Sequence, residues 1–422
     1  MTRRETILQR IHLRLIAPAA LLLLLSQTTT TVSGAAILLQ QANLEYMGAF
    51  RLPPAQSEQR SFGYGAMGMA YNAARNSLYM VGHLWYQQTA EVSIPAITKG
   101  ATPAALAAST ILQWGDATDG SLAGAKIYGQ FVHNGALYGV AYSATRSASH
   151  FRSGLDLSLT NDFQGFYQVG TLNQRFVAGY MAQIPPEWQT ALGGSVITGG
   201  CCNPGDNGAT SLGPSAFVFN PADLGVRTPV PFTPLVYYSA THPTLGAWNN
   251  TTTVNLQYNM MTEVVGAVFV PGTQTALFFG RTGTGVPCYG NGTNDPALDR
   301  QPWSGGGVYC YDPNEVNGGF GPHAYPYAYH VWAYDVQDFV AAKNGQRNPW
   351  DVRPYANWTF NLPYQDSHRH IQGVAFDPAT NRIFLSQSGG EGNGIPVIHV
   401  FSVASTPSVP APRPPTNLRI VK

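Results

Sequence analysis

Three stretches of this chain align without a gap, and they constrain the fold more than any other feature. They are residues 68–82 (GMAYNAARNSLYMVG), 266–280 (GAVFVPGTQTALFFG) and 373–387 (GVAFDPATNRIFLSQ). Each opens on glycine and runs through a short apolar strand to an aromatic residue, Tyr71, Phe269 or Phe376. A polar turn with an amide follows (Asn76, Gln274, Asn381), and the chain returns as a second apolar strand. Two β-rich runs joined by turn residues make a hairpin. A weaker relative starts at Gly139-Val-Ala-Tyr142, although its second half drifts. The flanks repeat too: Ala90–Pro95 resembles Ala182–Pro185, and Ala216–Pro221 and Val331–Asp335 each lead towards an aspartate, Asp223 or Asp338.

Hairpins that recur every ~50 residues with no long helices between them predict radially repeated, four-stranded sheets. Gly266 and Gly373 lie two such periods apart, so one unit with a degraded hairpin is expected between them. Dividing residues 44–404 by ~50–60 residues per unit predicts an all-β fold of six units, with five or seven as alternatives. In these features the chain resembles the β-propeller superfamily in general, which includes Kelch, NHL and six-bladed hydrolase or lyase types. No WD dipeptide and no Kelch double glycine narrows that resemblance. Leu44–Leu52 reads as a strand that would pair into the last blade beside Val397–Phe401, closing the ring and hiding an edge. A two-sheet sandwich is the competing fold, since it also uses short strands and turns.

The N-terminus reads as an address. Arg3, Arg4, Arg10 and Arg14 precede the apolar run Leu15–Leu25, and small residues follow up to Gly34. That layout predicts a signal peptide over 1–34, with an uncleaved anchor as the alternative. The run is shorter than the ~20 residues that span a bilayer. A propeller domain is expected over 35–405, and a proline-rich tail over 406–422 should be an extended spacer. A secreted or periplasmic location follows from the leader.

Four cysteines suit an oxidising compartment. Cys288 and Cys310 bracket a Gly/Asn-rich loop and are expected to pair. Cys201 and Cys202 are adjacent, so either a vicinal ring or cross-links to the distal pair would satisfy them.

Equivalent positions in repeated sheets converge on one face, which places a candidate site at the mouth of the channel. Before the first strands come Tyr64, Glu263, Asp366, His368, Arg369 and His370; after the second strands come His83, Arg281 and Glu391. With only 11% charged residues in the chain, this gathering stands out. His370 and His368 can move protons near neutral pH, and Arg369 can neutralise a substrate carboxylate. Tyr64 or Tyr289 could supply a second proton, the arrangement that a polysaccharide lyase needs. Glu263 with Asp366 or Glu391 would be the carboxylate pair of a glycoside hydrolase. The catalytic candidates are therefore His370, His368, Arg369, Tyr64 and Glu263. His83, Arg281, Asp366, Glu391 and Trp303 are the candidates for substrate binding, Trp303 as a ring for stacking on sugars. Hydrogen bonding between sheets explains these polar groups as well, and core packing explains many of the aromatics around Trp303.

Asn291, Thr293, Asp295 and Asp299 offer oxygens for Ca²⁺ in the cysteine-bracketed loop, without EF-hand spacing; no other cofactor is expected. No phosphate loop or serine elbow occurs. A formal net charge of +1 gives no electrostatic footprint for nucleic acid. Two readings stand open: a secreted carbohydrate-active lyase or hydrolase, and a non-catalytic propeller that binds glycan or protein. Fold does not choose between them.

Overall fold

All three repeats fold as hairpins, and each forms the first two strands of a four-stranded antiparallel sheet. The computed structural model describes residues 37–200, 212–316, 320–364, 367, 369–392 and 394–404. The segment expected to be a signal peptide, the Cys201–Cys202 pair, Asp366, His368 and the proline-rich tail lie outside the described residues.

Five four-stranded sheets are present among them, and within each sheet consecutive strands are hydrogen-bonded neighbours. Sheet I runs Met67–Asn72, Ser77–Val81, Thr89–Ser93 and Ile111–Gly115. Sheet II runs Lys126–His133, Ala136–Tyr142, His150–Ser153 and Gln164–Tyr167. Sheet III runs Tyr180–Gln183, Val196–Gly199, Ala216–Phe219 and Phe232–Val236. Sheet IV runs Glu263–Phe269, Thr275–Gly283, Tyr327–Asp335 and Ala356–Phe360. Sheet V runs Ile371–Asp377, Arg382–Gln387, Val397–Val403 and, outermost, Leu44–Arg51 from the other end of the chain. This architecture is consistent with a β-propeller.

Side-chain alternation buries both faces of each sheet. In sheet I, Leu78 and Met80 pack with Phe384 and Ile398 of sheet V. Their neighbours Tyr79 and Val81 point the other way, against Ile127 and Leu137 of sheet II. Similar apolar layers join Tyr138 to Met181, Ile197 to Phe278, and Leu277 to Ile383. A two-layer sandwich would bury only one face of each sheet.

The glycine that opens each repeat now has a cause. It sits at a bulge in the first strand, where that strand meets the first strand of the next sheet. A Cβ on Gly266 would lie 2.5 Å from Val374 Cβ, and one on Gly373 would lie 2.9 Å from Met69 Cγ. The turn amide is explained too: Asn76 and Asn381 adopt positive φ of 47° and 53°, a region that asparagine tolerates.

Three expectations differ from the structure. Gly139–Tyr142 belongs to a second strand, not a first: the sheet II hairpin closes at Asn134-Gly135, and the bulge glycine is Gly129. Ala90–Pro95 and Ala182–Pro185 are not equivalent, since the former lies in a third strand and the latter in a first strand. The span between Gly266 and Gly373 holds no further four-stranded sheet among the described residues. The described residues between 284 and 326 instead form an insertion within sheet IV, whose small sheet pairs Cys288–Thr293 with Tyr309–Tyr311 and Phe320–His323. Five four-stranded sheets therefore stand among the described residues where the spacing predicts six, with five or seven as its alternatives.

Candidate active site

Glu263 and Arg281 are cross-strand partners in the first register position of sheet IV. Arg281 Nε donates to Glu263 Oε2 at 3.1 Å, and Arg281 Nη2 donates to Oε1 at 2.9 Å. This fork-to-carboxylate geometry is the strong, bidentate kind. His370 immediately precedes the first strand of sheet V, which neighbours that of sheet IV. Its Nε2 lies 3.4 Å from Glu263 Oε2. The guanidinium is buried, while a third of the His370 side chain is exposed. The chain Arg281–Glu263–His370 thus runs from the interior to the surface.

Beneath Arg281 lies a second polar group that the repeat pattern does not reveal. The guanidinium stands 5.2 Å from the centre of the Tyr327 ring. The Tyr327 hydroxyl donates to the fully buried Asp312, which also faces His323 Nδ1 at 3.0 Å. Burial alone would raise the Asp312 carboxyl, but bonds from His323, Tyr327 and the Asn314 N–H outweigh it and hold it below the ordinary range. Tyr327 is pushed up, by burial first and by Asp312 second. Asp312 and His323 sit in the insertion, outside every repeat, so no positional signal marks them.

Arg369 adopts φ 56° and places its guanidinium 5.6 Å from the centre of the Tyr329 ring. The Tyr329 hydroxyl accepts from Gln387 Nε2 at 2.8 Å, and Gln387 Oε1 faces His399 Nε2 at 2.9 Å. Burial pushes His399 down to about 3, so this supporting imidazole is neutral.

Tyr64 is half exposed at a positive φ of 53°. Its N–H donates to Gly394 O at 2.8 Å, and its ring covers Gly394, where a Cβ would lie 2.5 Å from it. The loop that carries Gly394 also holds Ser388, whose N–H donates to His370 O at 3.0 Å. One loop therefore ties Tyr64 to His370. Glu391, in the same loop, turns to Arg51 at 3.5 Å, at the end of the outermost strand. His83 accepts the Trp85 N–H at 3.1 Å and meets the Tyr86 ring at 5.1 Å, in a loop beside Gly63.

Trp303 lies in the insertion and stacks on Phe320 with ring centres 5.7 Å apart; Tyr289 meets Phe320 edge-on at 5.2 Å. Tyr289 and Phe320 are nearly half exposed. The Cys288–Cys310 disulfide staples this insertion, with Cα atoms 5.7 Å apart. Asn314 Nδ2 donates to Ser367 O at 2.8 Å, which fastens the insertion to the segment before His370.

The four calcium candidates carry hydrogen bonds or burial of their own. One oxygen of Asp295 accepts the Ala297 N–H, one of Asp299 accepts the Tyr311 N–H, and Asn291 and Thr293 are buried within a strand. Among the described residues no three His, Cys, Asp or Glu side chains gather as a metal site. No helix there is long and apolar enough to cross a membrane.

No protein-family model matches the chain, and no curated protein matches it. Among solved structures it is similar to the GH43 endo-arabinanase from Bacillus licheniformis, at 10% identity and a TM-score of 0.39. That likeness covers 81% of this chain and 94% of the other.

Proposed function

We propose that the chain is a secreted five-bladed propeller, closed by Leu44–Arg51, and that it cleaves a uronic-acid-containing polysaccharide at the channel mouth by β-elimination. The observation that carries this reading is the Arg281–Glu263–His370 chain, with the partly exposed imidazole at its end. Buried Arg281 fixes Glu263, and Glu263 orients His370, the usual way to position a general base. His370 takes the proton from C5 of the uronate, and Arg369 neutralises its carboxylate. As the C4–O bond breaks and the C4=C5 double bond forms, Tyr64 gives its proton to the departing oxygen. Residues Tyr289, Phe320 and Trp303 offer rings to the sugar faces beyond the cleaved bond.

Hydrolysis by Glu263 and Glu391 is less favoured, since Arg281 grips one carboxylate and Arg51 faces the other. Binding without turnover is the second reading. The exposed Tyr289–Phe320 pair favours it, because such a surface holds glycan whether or not a bond breaks.

The test incubates the mature protein with a polysaccharide panel and follows both new reducing ends and ultraviolet absorbance of unsaturated uronates. Elimination yields both signals, and His370→Ala loses them. Reducing ends without absorbance would replace the lyase with a hydrolase. Saturable binding with neither signal would establish the binding module.

A further inference from the structure

The opposite end of the same strands carries a cavity with different chemistry. It has a volume of about 490 Å³ and draws on the first strands of all five sheets, through Met69, Phe131, Met181, Phe269, Val374 and Phe376 among others. Glu263 and Phe269 stand at the two ends of one seven-residue strand, roughly 20 Å apart at the rise of extended chain. The cavity is therefore separate from the His370 site.

Most of its wall is apolar. Four amides line it, of which Asn72 and Gln183 are engaged within the protein. Asn134 Nδ2 faces His133 Nε2 at 3.1 Å. Gln130 donates to Thr89 Oγ1 at 2.8 Å, while its Oε1 is the one buried acceptor among them without a partner. Asn72 Nδ2 donates to Glu91 Oε1 at 3.0 Å, and its Oδ1 accepts the Ala74 N–H at 3.2 Å. Gln183 Nε2 donates to Ser195 O at 3.0 Å, and its Oε1 faces His133 Nδ1 at 3.0 Å. The hairpin turns at the rim contribute Pro271 and Pro378, and Pro185 follows the sheet III strand; none of these has an N–H to donate. A buried water needs two to four polar partners, and apolar cavities that cannot supply them accept apolar guests. The volume lies in the range of small-molecule sites.

We propose that this cavity is a binding site for a small, uncharged apolar molecule, either ring-bearing or a short aliphatic chain. The five-fold wall supplies apolar contact from every side, and the rim prolines add no donor to it.

The test titrates the full chain with the neutral dye phenylnaphthylamine and follows its emission. Saturable enhancement at one site is expected. Val374→Trp inserts bulk where a half-buried valine faces Gly266 and should weaken the dye at least about tenfold. Far-ultraviolet circular dichroism checks that this variant folds; if it does not, Phe131→Gln, at a half-buried wall position, is read instead. Phe320→Ser, on the exposed aromatic platform, should leave binding unchanged. Non-saturable emission, unchanged affinity in the folded wall variant, or loss of binding in Phe320→Ser would each overturn the proposal.

Discussion

Arg281 holds Glu263 through two N–H bonds of 3.1 and 2.9 Å, while His370 approaches the same carboxylate at 3.4 Å. Removing a buried guanidinium leaves the carboxylate without its fork, at a cost of about 3–5 kcal/mol for a broken buried pair. Arg281→Ala should therefore lower the urea midpoint strongly. Arg281→Lys keeps the charge but loses the planar double contact, and should recover only part of the loss. Equal midpoints for Lys and wild type would mean that charge alone matters here.

Gly129 tests the packing of the first strands against one another. A Cβ there would lie 2.7 Å from Tyr180 Cα in the next sheet, a contact that backbone cannot relieve cheaply. Gly129→Ala should destabilise by about 1–3 kcal/mol, the range for overpacked cores. Gly120→Ala is the comparison: nothing lies within 4 Å of its Cβ position, but its φ of 76° retains backbone strain. Urea midpoints for both variants separate steric from conformational cost.

These glycines also show how much of the fold is legible in the sequence. The three hairpins can be read because bulge glycine, aromatic and turn amide recur at fixed spacing, each for a local physical reason. Sheet II escapes because its Asn134-Gly135 turn is tighter and shifts the pattern, which draws the alignment to Gly139. The insertion escapes because residues 284–326 obey no repeat, so the long span reads as another unit. The same division runs through the site. Glu263, Arg281 and His370 can be placed by position relative to the repeats. Asp312 and His323 cannot, and the partner of Glu391 depends on a pairing between the two ends of the chain.

Buried histidines set the acid limit of stability. Burial pushes His150 and His399 down to about 3 and His330 to about 4. All three stay neutral in the fold, whereas the unfolded chain binds protons near pH 6.5. The stabilising contribution is therefore complete above about pH 6.5 and is lost as pH falls towards 4. Each histidine adds a slope of about 1.4 kcal/mol per pH unit within that window. Urea midpoints at pH 7.5, 6 and 5 should fall with increasing steepness, and His399→Gln should flatten the curve.

Glu91 offers the sharpest test of the interior of sheet I. Its carboxylate is fully buried and accepts from Asn72 Nδ2 at 3.0 Å, Arg75 Nη1 at 2.8 Å, Gln113 Nε2 at 2.6 Å and the Ser77 hydroxyl. Asn72 belongs to the first strand, Ser77 to the second, and Gln113 to the fourth, so one side chain in the third strand ties the whole sheet together. Glu91→Ala would leave several buried donors without acceptors, each costing about 1–3 kcal/mol. Glu91→Gln keeps the shape but gives up the charge and turns a donor towards other donors, so it should rescue little. Hydrogen exchange is the decisive readout. Protection should fall across residues 67–115 in both variants, while sheet III, on the far side of sheet II, keeps its protection. Uniform loss in all sheets would instead mean that the five units unfold as one.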